Sequence, residues 1–145
     1  MLDGISVPAI GQGIWYIGDA PSKKEAEVRA LRLDVDLRMT LIDTAEVYGE
    51  GKAEQVVGEA LQGIRDDVFL VSKVYPHNAS LERIISSHEK SLQRLGTDHL
   101  DLYLLHWRGR VPLAETIERM EKLIKDEKIL RWGSPILILL TWRNC

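Results

Sequence analysis

The feature that most constrains this chain is an alternation. Four stretches with the apolar spacing of an amphipathic helix take turns with short, continuous apolar runs. In the first helical stretch, "SKKEAEVRAL", Ser22 is placed to cap and Glu25 follows three residues later, a capping box; Ala26, Ala30, Leu33 and Leu37 then mark one face. In the second, Ala53, Val56, Val57, Ala60 and Leu61 recur at helical spacing. The third runs from Ser80 as cap through Leu81, Ile84, Ile85, Leu92 and Leu95 and stops at Gly96. The fourth carries Leu113, Ile117, Met120 and Ile124. Between them lie "TLID", "VFLVSK", "LDLYLLH" and "KILRWG", with "VPAIGQGIW" as a further run near the start. These runs are too short for helices and suit strands buried on both faces. The predicted order is β-α-β-α-β-α-β-α-β, which implies a parallel sheet joined by right-handed crossovers. A (β/α) barrel and an open doubly wound sheet both fit that order. "GQGIWYIG" does not match GxGxxG, which weighs against the open dinucleotide-binding sheet.

The 145 residues are enough for one domain with a real core. A formal charge of −3 gives no electrostatic case for a nucleic acid or an anionic membrane as partner. No apolar run approaches the ~20 residues of a membrane span, and the opening "MLDGISVPAIGQG" lacks a basic region followed by a long apolar core. The only cysteine is Cys145, so no disulfide within the chain is expected, nor does any ligand cluster point to a metal. A cytoplasmic protein is the expectation.

Function is read from what ends each strand. The second run ends in Asp43, the third in Lys73 and the fourth in His106, while Tyr48 lies in the loop after Asp43. Functional groups in parallel α/β folds gather at the carboxyl ends of strands. Singly, each has a bland reading: a turn-capping aspartate, a lysine reaching for solvent, a satisfied core histidine, a loop aromatic. Jointly, one chemistry needs all four. Reducing a carbonyl by hydride transfer requires a proton for the oxygen. Tyrosine, with an ordinary pKa of about 10, is a weak acid unless a cation favours its phenolate. Lys73 can be that cation, Asp43 its counter-ion, and His106 can donate a hydrogen bond to the reacting oxygen.

"IDTAEVYGEG", "VSKV", "LDLYLLHW" and "VPAIGQGIW" together resemble the aldo-keto reductases, collinearly from about Val7 to Gly133. The resemblance implies a (β/α)8 barrel, the TIM-barrel type, truncated to about five strands and four helices. It implies NADPH as cofactor, with NADH as the alternative, and a small aldehyde or ketone as substrate. Asp43, Tyr48, Lys73 and His106 then resemble the catalytic tetrad, with Tyr48 as proton donor. Gly13, Ile14 and Trp15 resemble the segment beside the nicotinamide ribose, with Asp43 near that ribose. Trp15, Tyr48, His106 and Trp107 would line the substrate pocket. Asp34 and Arg38 depart from the family, which usually has glycine at both positions. A left-handed Arg38 would cost roughly 1 kcal/mol or more.

A TIM barrel usually takes ~250 residues, so residues 1–133 are read as the N-terminal part of such a barrel. Residues 134–145 are read as an aberrant tail. "SPILILLTWRNC" replaces the expected continuation, and read one base out of frame it can encode SNFDTADMEEL, as the loss of a base near Gly133 would produce. Five strands leave two open edges, so self-association through them is expected, with weak or absent turnover. The rival functions are a non-catalytic remnant that associates through its edges and an unrelated barrel enzyme such as a phosphate-handling isomerase.

Overall fold

The structure, a computed structural model, describes residues 4–134. Beyond Ser134 the tail discussed above lies outside the described residues. Five strands form one parallel sheet: β1 (Gly11–Gly13), β2 (Leu41–Asp43), β3 (Phe69–Val74), β4 (Leu102–Leu105) and β5 (Trp132–Gly133). Their spatial order is their chain order, β1-β2-β3-β4-β5. A doubly wound sheet reverses its order at a switch point. Among the described strands this sheet does not, so the barrel alternative is the one realised.

The crossovers carry α1 (Lys24–Asp36), α2 (Lys52–Ala60), α3 (Ile84–Leu95) and α4 (Leu113–Lys125). Crossovers of one hand between strands in sequential order put every helix on the same face, and each helix packs on the next in turn. The core fills the gap between sheet and helices: Ile42, Leu70, Val74 and Tyr103 from the strands meet Val57, Ile84, Leu95, Met120 and Leu123. Only β3, in the middle, is buried along nearly its whole length. In β1, β2 and β4 burial alternates, because the face turned away from the helices is partly open. The expectation of strands buried on both faces therefore holds for the centre of the sheet alone.

Local details differ from the sequence reading where apolar residues offer two faces. In α1 the buried positions are Leu31 and Val35, with Val28 packed against the core, whereas Leu33 and Leu37 are exposed. Arg32, beside the buried face, donates to the carbonyls of Ala60 at 2.9 Å and Gln62 at 3.2 Å, which anchors α1 to the end of α2. Ser22 does not cap: Pro21 starts a 3-10 turn over Pro21–Lys23, and α1 follows with Lys23 at its N-cap. Ser80 does not cap α3 either, since a turn intervenes and the helix starts at Ile84. In α4 Thr116 takes the buried place next to exposed Ile117, and its hydroxyl donates to the Ala79 carbonyl at 3.0 Å. Helix α2 buries the set its spacing predicts, and α3 ends at Gly96 with φ 63°.

Candidate active site

Strand parity decides which side chains meet. Ile42, Leu70, Ser72 and Tyr103 are fully buried. Their neighbours Asp43, Lys73 and, by continuation of β4, His106 therefore point to the opposite face. Register then brings these together at the carboxyl ends of the strands: Gly13 pairs with Asp43, Lys73 with Leu104, and the His106 amide donates to the Val74 carbonyl at 3.0 Å.

Lys73 is the hub. Its Nζ lies 2.6 Å from Asp43 Oδ1, donates to the Thr44 carbonyl at 2.9 Å and to Tyr48 Oη at 3.2 Å. The three ammonium protons thus have three acceptors, which is what allows a lysine side chain only 8% exposed to stay in place. Nζ also sits 5.0 Å from the Tyr48 ring centroid. Tyr48 opens a tight turn, Tyr48–Gly51, in which Gly49, Glu50 and Gly51 all have positive φ (54°, 56° and 90°). That left-handed run folds the loop back so that the phenol faces Lys73. Glu50 carries strain there that glycine would not.

His106 meets the Tyr48 ring edge-on at 5.6 Å between centroids. Its Nδ1 is buried without a hydrogen-bond partner among the described residues. Burial, and next the Lys73 ammonium, hold its pKa below the usual 6.5, against the opposing pull of the Asp43 and Glu46 carboxylates. The imidazole is therefore neutral at neutral pH and has one N–H to give.

A cavity of about 340 Å³ opens over this group, lined by Trp15, Val47, Tyr48, His106 and Trp107. Trp15 stacks on Tyr48 at 6.1 Å and on Tyr16 at 5.4 Å. Trp107 stands 4.5 Å from His106 and edge-on to Tyr75 at 5.2 Å. A larger hollow, of about 400 Å³, lies between the ends of α2 and α3, bounded by Leu61, Gln62, Leu95 and Gly96. Those residues are at the opposite ends of the strands, away from these groups.

The residues expected beside a nicotinamide ribose divide. A β-carbon on Gly13 would meet nothing within 4 Å, so the backbone there faces open space. The adjoining Asp43 side chain is 38% exposed, and Trp15 is exposed. Ile14 instead turns its side chain into the core, and only its backbone is available, the amide donating to the Asp43 carbonyl at 3.3 Å. Open space over Gly13, a carboxylate beside it and an exposed indole two residues on fit the ribose end of a nicotinamide cofactor.

Three supports escaped the sequence. The Thr44 carbonyl is a ligand of Lys73 but, as backbone, leaves no residue signature. Glu46 accepts from the Tyr75 amide at 2.6 Å, from Asn78 Nδ2 at 3.1 Å and from the Ser87 hydroxyl. Glu54, fully buried, accepts from Ser72 Oγ at 2.7 Å and pairs with Arg94 at 2.6 Å. The Arg94 guanidinium underlies Gly51, where a β-carbon would stand 2.8 Å from it. A polar ladder thus joins the strand of Lys73 to the turn of Tyr48.

The family model "Aldo/keto reductase family" matches residues 9–134. Methylglyoxal reductase YeaE of Escherichia coli (strain K12) is 58% identical over 129 residues, which is 89% of this chain and 45% of that protein. Glyoxal reductase of Bacillus subtilis (strain 168) is 35% identical over 134 residues, 90% of this chain and 46% of that protein. A crystal structure of an aldo/keto reductase from Klebsiella pneumoniae, in complex with NADP and acetate, superimposes with a TM-score of 0.89 at 54% identity, covering 91% of this chain and 47% of that one. The chain spans about half the length of the curated relatives it matches.

Proposed function

The chain belongs to the aldo/keto reductase family, and from that membership we propose that it carries the proton-donating side of an NADPH-dependent carbonyl reductase, with weak turnover expected of this chain, which spans about half the length of its relatives. The family match ends the rival reading as an unrelated barrel isomerase. The substrates proposed are small reactive aldehydes of the methylglyoxal and glyoxal kind, after the names of the relatives and the compact, aromatic-walled cavity. Gly13, the Ile14 backbone, Trp15 and Asp43 would hold the nicotinamide ribose, and reduced nicotinamide, when bound, supplies the hydride.

The chain's own residues supply the rest. Trp15, Val47 and Trp107 flank the substrate. Neutral His106 donates an N–H to the carbonyl oxygen and orients it. Tyr48 gives that oxygen its proton as the carbonyl carbon gains hydride, so the carbonyl becomes an alcohol and the phenol a phenolate. The phenolate forms 3.2 Å from the Lys73 ammonium, whose own charge is paired with Asp43 at 2.6 Å. Solvent returns the proton to Tyr48. The Asp43–Lys73–Tyr48 contact is the observation that carries this reading.

Tyr48→Phe keeps the ring and its stacking but removes the proton. Its rate of NADPH oxidation with methylglyoxal, followed by absorbance, is expected to fall roughly 10²–10⁴-fold. A wild-type rate no higher than that of Tyr48→Phe would refute the proposal.

A second reading, association of copies of the chain, is favoured by the sheet's margins. Among the described residues, β1 and β5 each have a neighbour on one side only. Near these edges Ile10, Trp15, Tyr16 and Leu130 are exposed. Size-exclusion chromatography is expected to show oligomers that Ile10→Lys together with Leu130→Lys reduces. A monodisperse monomer in the wild type would remove this reading.

A further inference from the structure

Glu46 sits between Asp43 and Tyr48, in the turn that delivers the phenol, yet its carboxylate is spent elsewhere. One oxygen, Oε1, accepts from the Tyr75 amide at 2.6 Å and from Asn78 Nδ2 at 3.1 Å, both in the loop after β3. The other, Oε2, accepts from the Ser87 hydroxyl on α3. The Glu46 amide donates to the Lys73 carbonyl at 3.4 Å. A loop glutamate is ordinarily solvated. This one gathers three side-chain or backbone donors separated from it by 29, 32 and 41 residues.

The loop it grips packs against one wall of the cavity, Trp107, which follows β4. Tyr75 meets Trp107 edge-on at 5.2 Å and stacks on His77 at 4.8 Å. Trp107 shares the cavity with Tyr48. Beside Glu46 is a hollow of about 390 Å³, bordered by Asn78, Ser86, Ser87 and Lys90. The carboxylate spans the gap.

We propose that Glu46 is a positioning residue that fixes the distance between the Trp107 wall and the Tyr48 phenol, and so sets the size of carbonyl the cavity accepts. This rests on the reductase reading for its consequence in catalysis but not for its geometry. Loss of the clamp lets the Tyr75 loop and Trp107 move away from Tyr48. Substrate is then held less well, while the Lys73–Tyr48 contact, which does not involve the Glu46 side chain, persists.

The test uses the full chain labelled with fluorotryptophan, its Trp107 signal assigned in fluorine NMR with Trp107→Phe. In Glu46→Ala the Trp107 signal is expected to shift or broaden while that of Trp132 stays. Glu46→Gln retains a carbonyl acceptor for the Tyr75 amide and is expected to restore most of the wild-type signal. Where Glu46→Ala does not fold, Asn78→Ala removes one arm of the clamp and is expected to move the Trp107 signal in the same sense, by less. A Trp107 signal unmoved in the folded variant, or one that moves no more than Trp132, overturns the proposal. With methylglyoxal, KM is expected to rise about tenfold in Glu46→Ala while kcat stays within about threefold; a fall in kcat at unchanged KM overturns it as well. A wild-type chain that reduces no carbonyl sinks the reductase reading alone, because the fluorine signal does not depend on turnover.

Discussion

Arg38→Gly is expected to stabilise the protein, and the structure says by how much. Helix α1 ends with two reverse bonds: the Arg38 amide donates to the Val35 carbonyl and the Met39 amide to the Asp34 carbonyl, each at 2.9 Å. This pair is the signature of a helix end that needs a left-handed residue just past the cap. Arg38 is that residue, with φ 74°. A related end closes α3, where the Gly96 and Thr97 amides both reach the Leu92 carbonyl and the left-handed position is Gly96. A β-carbon in the left-handed region costs roughly 1–2 kcal/mol. Glycine's greater freedom in the unfolded chain takes back about 0.5–1 kcal/mol. The net gain is therefore about 0.5–1 kcal/mol, or a rise in Tm of roughly 2–4 °C for a chain of this size. Urea unfolding and a thermal melt measure both. Arg38→Ala is the control: it removes the exposed guanidinium and keeps the β-carbon, so it is expected to gain nothing. Helix α4 repeats the situation at Glu127, φ 56°, with Glu127 and Lys128 amides bonded to Ile124 and Leu123. Because the two sites lie on separate helices, Arg38→Gly and Glu127→Gly are expected to add. If Arg38→Ala stabilises as much as Arg38→Gly, the side chain and not the backbone was the cause, and the reasoning fails.

Two further changes probe the interior. His88 is fully buried; burial, and next the Lys128 ammonium, lower its pKa from 6.5 to about 4, against a hydrogen bond with the Lys128 backbone that favours the charged ring. Between those values the unfolded chain binds a proton that the folded chain refuses, so stability falls as pH falls from 6.5 to 4, by about 1.4 kcal/mol per pH unit and about 3 kcal/mol in all. His88→Leu is expected to match the wild type near pH 7 and to lose that share of the pH dependence in urea unfolding; equal slopes in the two proteins would show that His88 is not the titrating group. Gly58 lies in α2 where a β-carbon would stand 2.4 Å from the Arg94 carbonyl oxygen and 2.9 Å from the Leu95 carbonyl carbon. Helix propensity alone would make Gly58→Ala stabilising by about 1 kcal/mol, but the backbone of α3 cannot yield cheaply, and a net loss of roughly 1–3 kcal/mol is expected in the same assay. A gain in stability would mean that α2 and α3 separate readily.

Much of this architecture was legible because the helical period of 3.6 and the short continuous apolar runs were written by different residues. Helix α2 has one apolar stripe and its buried face followed directly. Helix α1 has apolar residues on two sides, and the stripe through Ala26, Ala30, Leu33 and Leu37 lost to Val28, Leu31 and Val35, an orientation in which Arg32 also reaches the Ala60 carbonyl. The two serine caps failed for a shared reason: a turn begun elsewhere, at Pro21 or over residues 80–83, set where the helix could start. Of the candidate site, the polar ends of strands could be read, since parity and parallel register leave few places for such side chains to go. Glu46 and Glu54 could not. Each looks like ordinary surface charge in a loop or a helix, and their partners at Tyr75, Ser87, Ser72 and Arg94 are 18 or more residues away.

The location of these groups within the sheet divides the proposed chemistry into two parts of unequal robustness. The contact from Asp43 through Lys73 to Tyr48 lies between β2 and β3, and each of these strands has a neighbour on both sides. Behind it stand Ser72, Glu54 and Arg94, which support the Tyr48 turn from below Gly51. Lys73 cannot leave this arrangement cheaply: its ammonium is nearly buried, and any move that loses Asp43 strands a charge out of water. The groups offered to a nicotinamide ribose sit on β1 and just after it, at the edge of the described sheet, with exposed Trp15 and Tyr16 beside them. Among the described residues, nothing comparable to the Lys73 network locks Gly13 or Trp15. Strain or loosening at the edge of the sheet therefore acts first on binding, and the geometry of proton delivery is the last part of the site to yield.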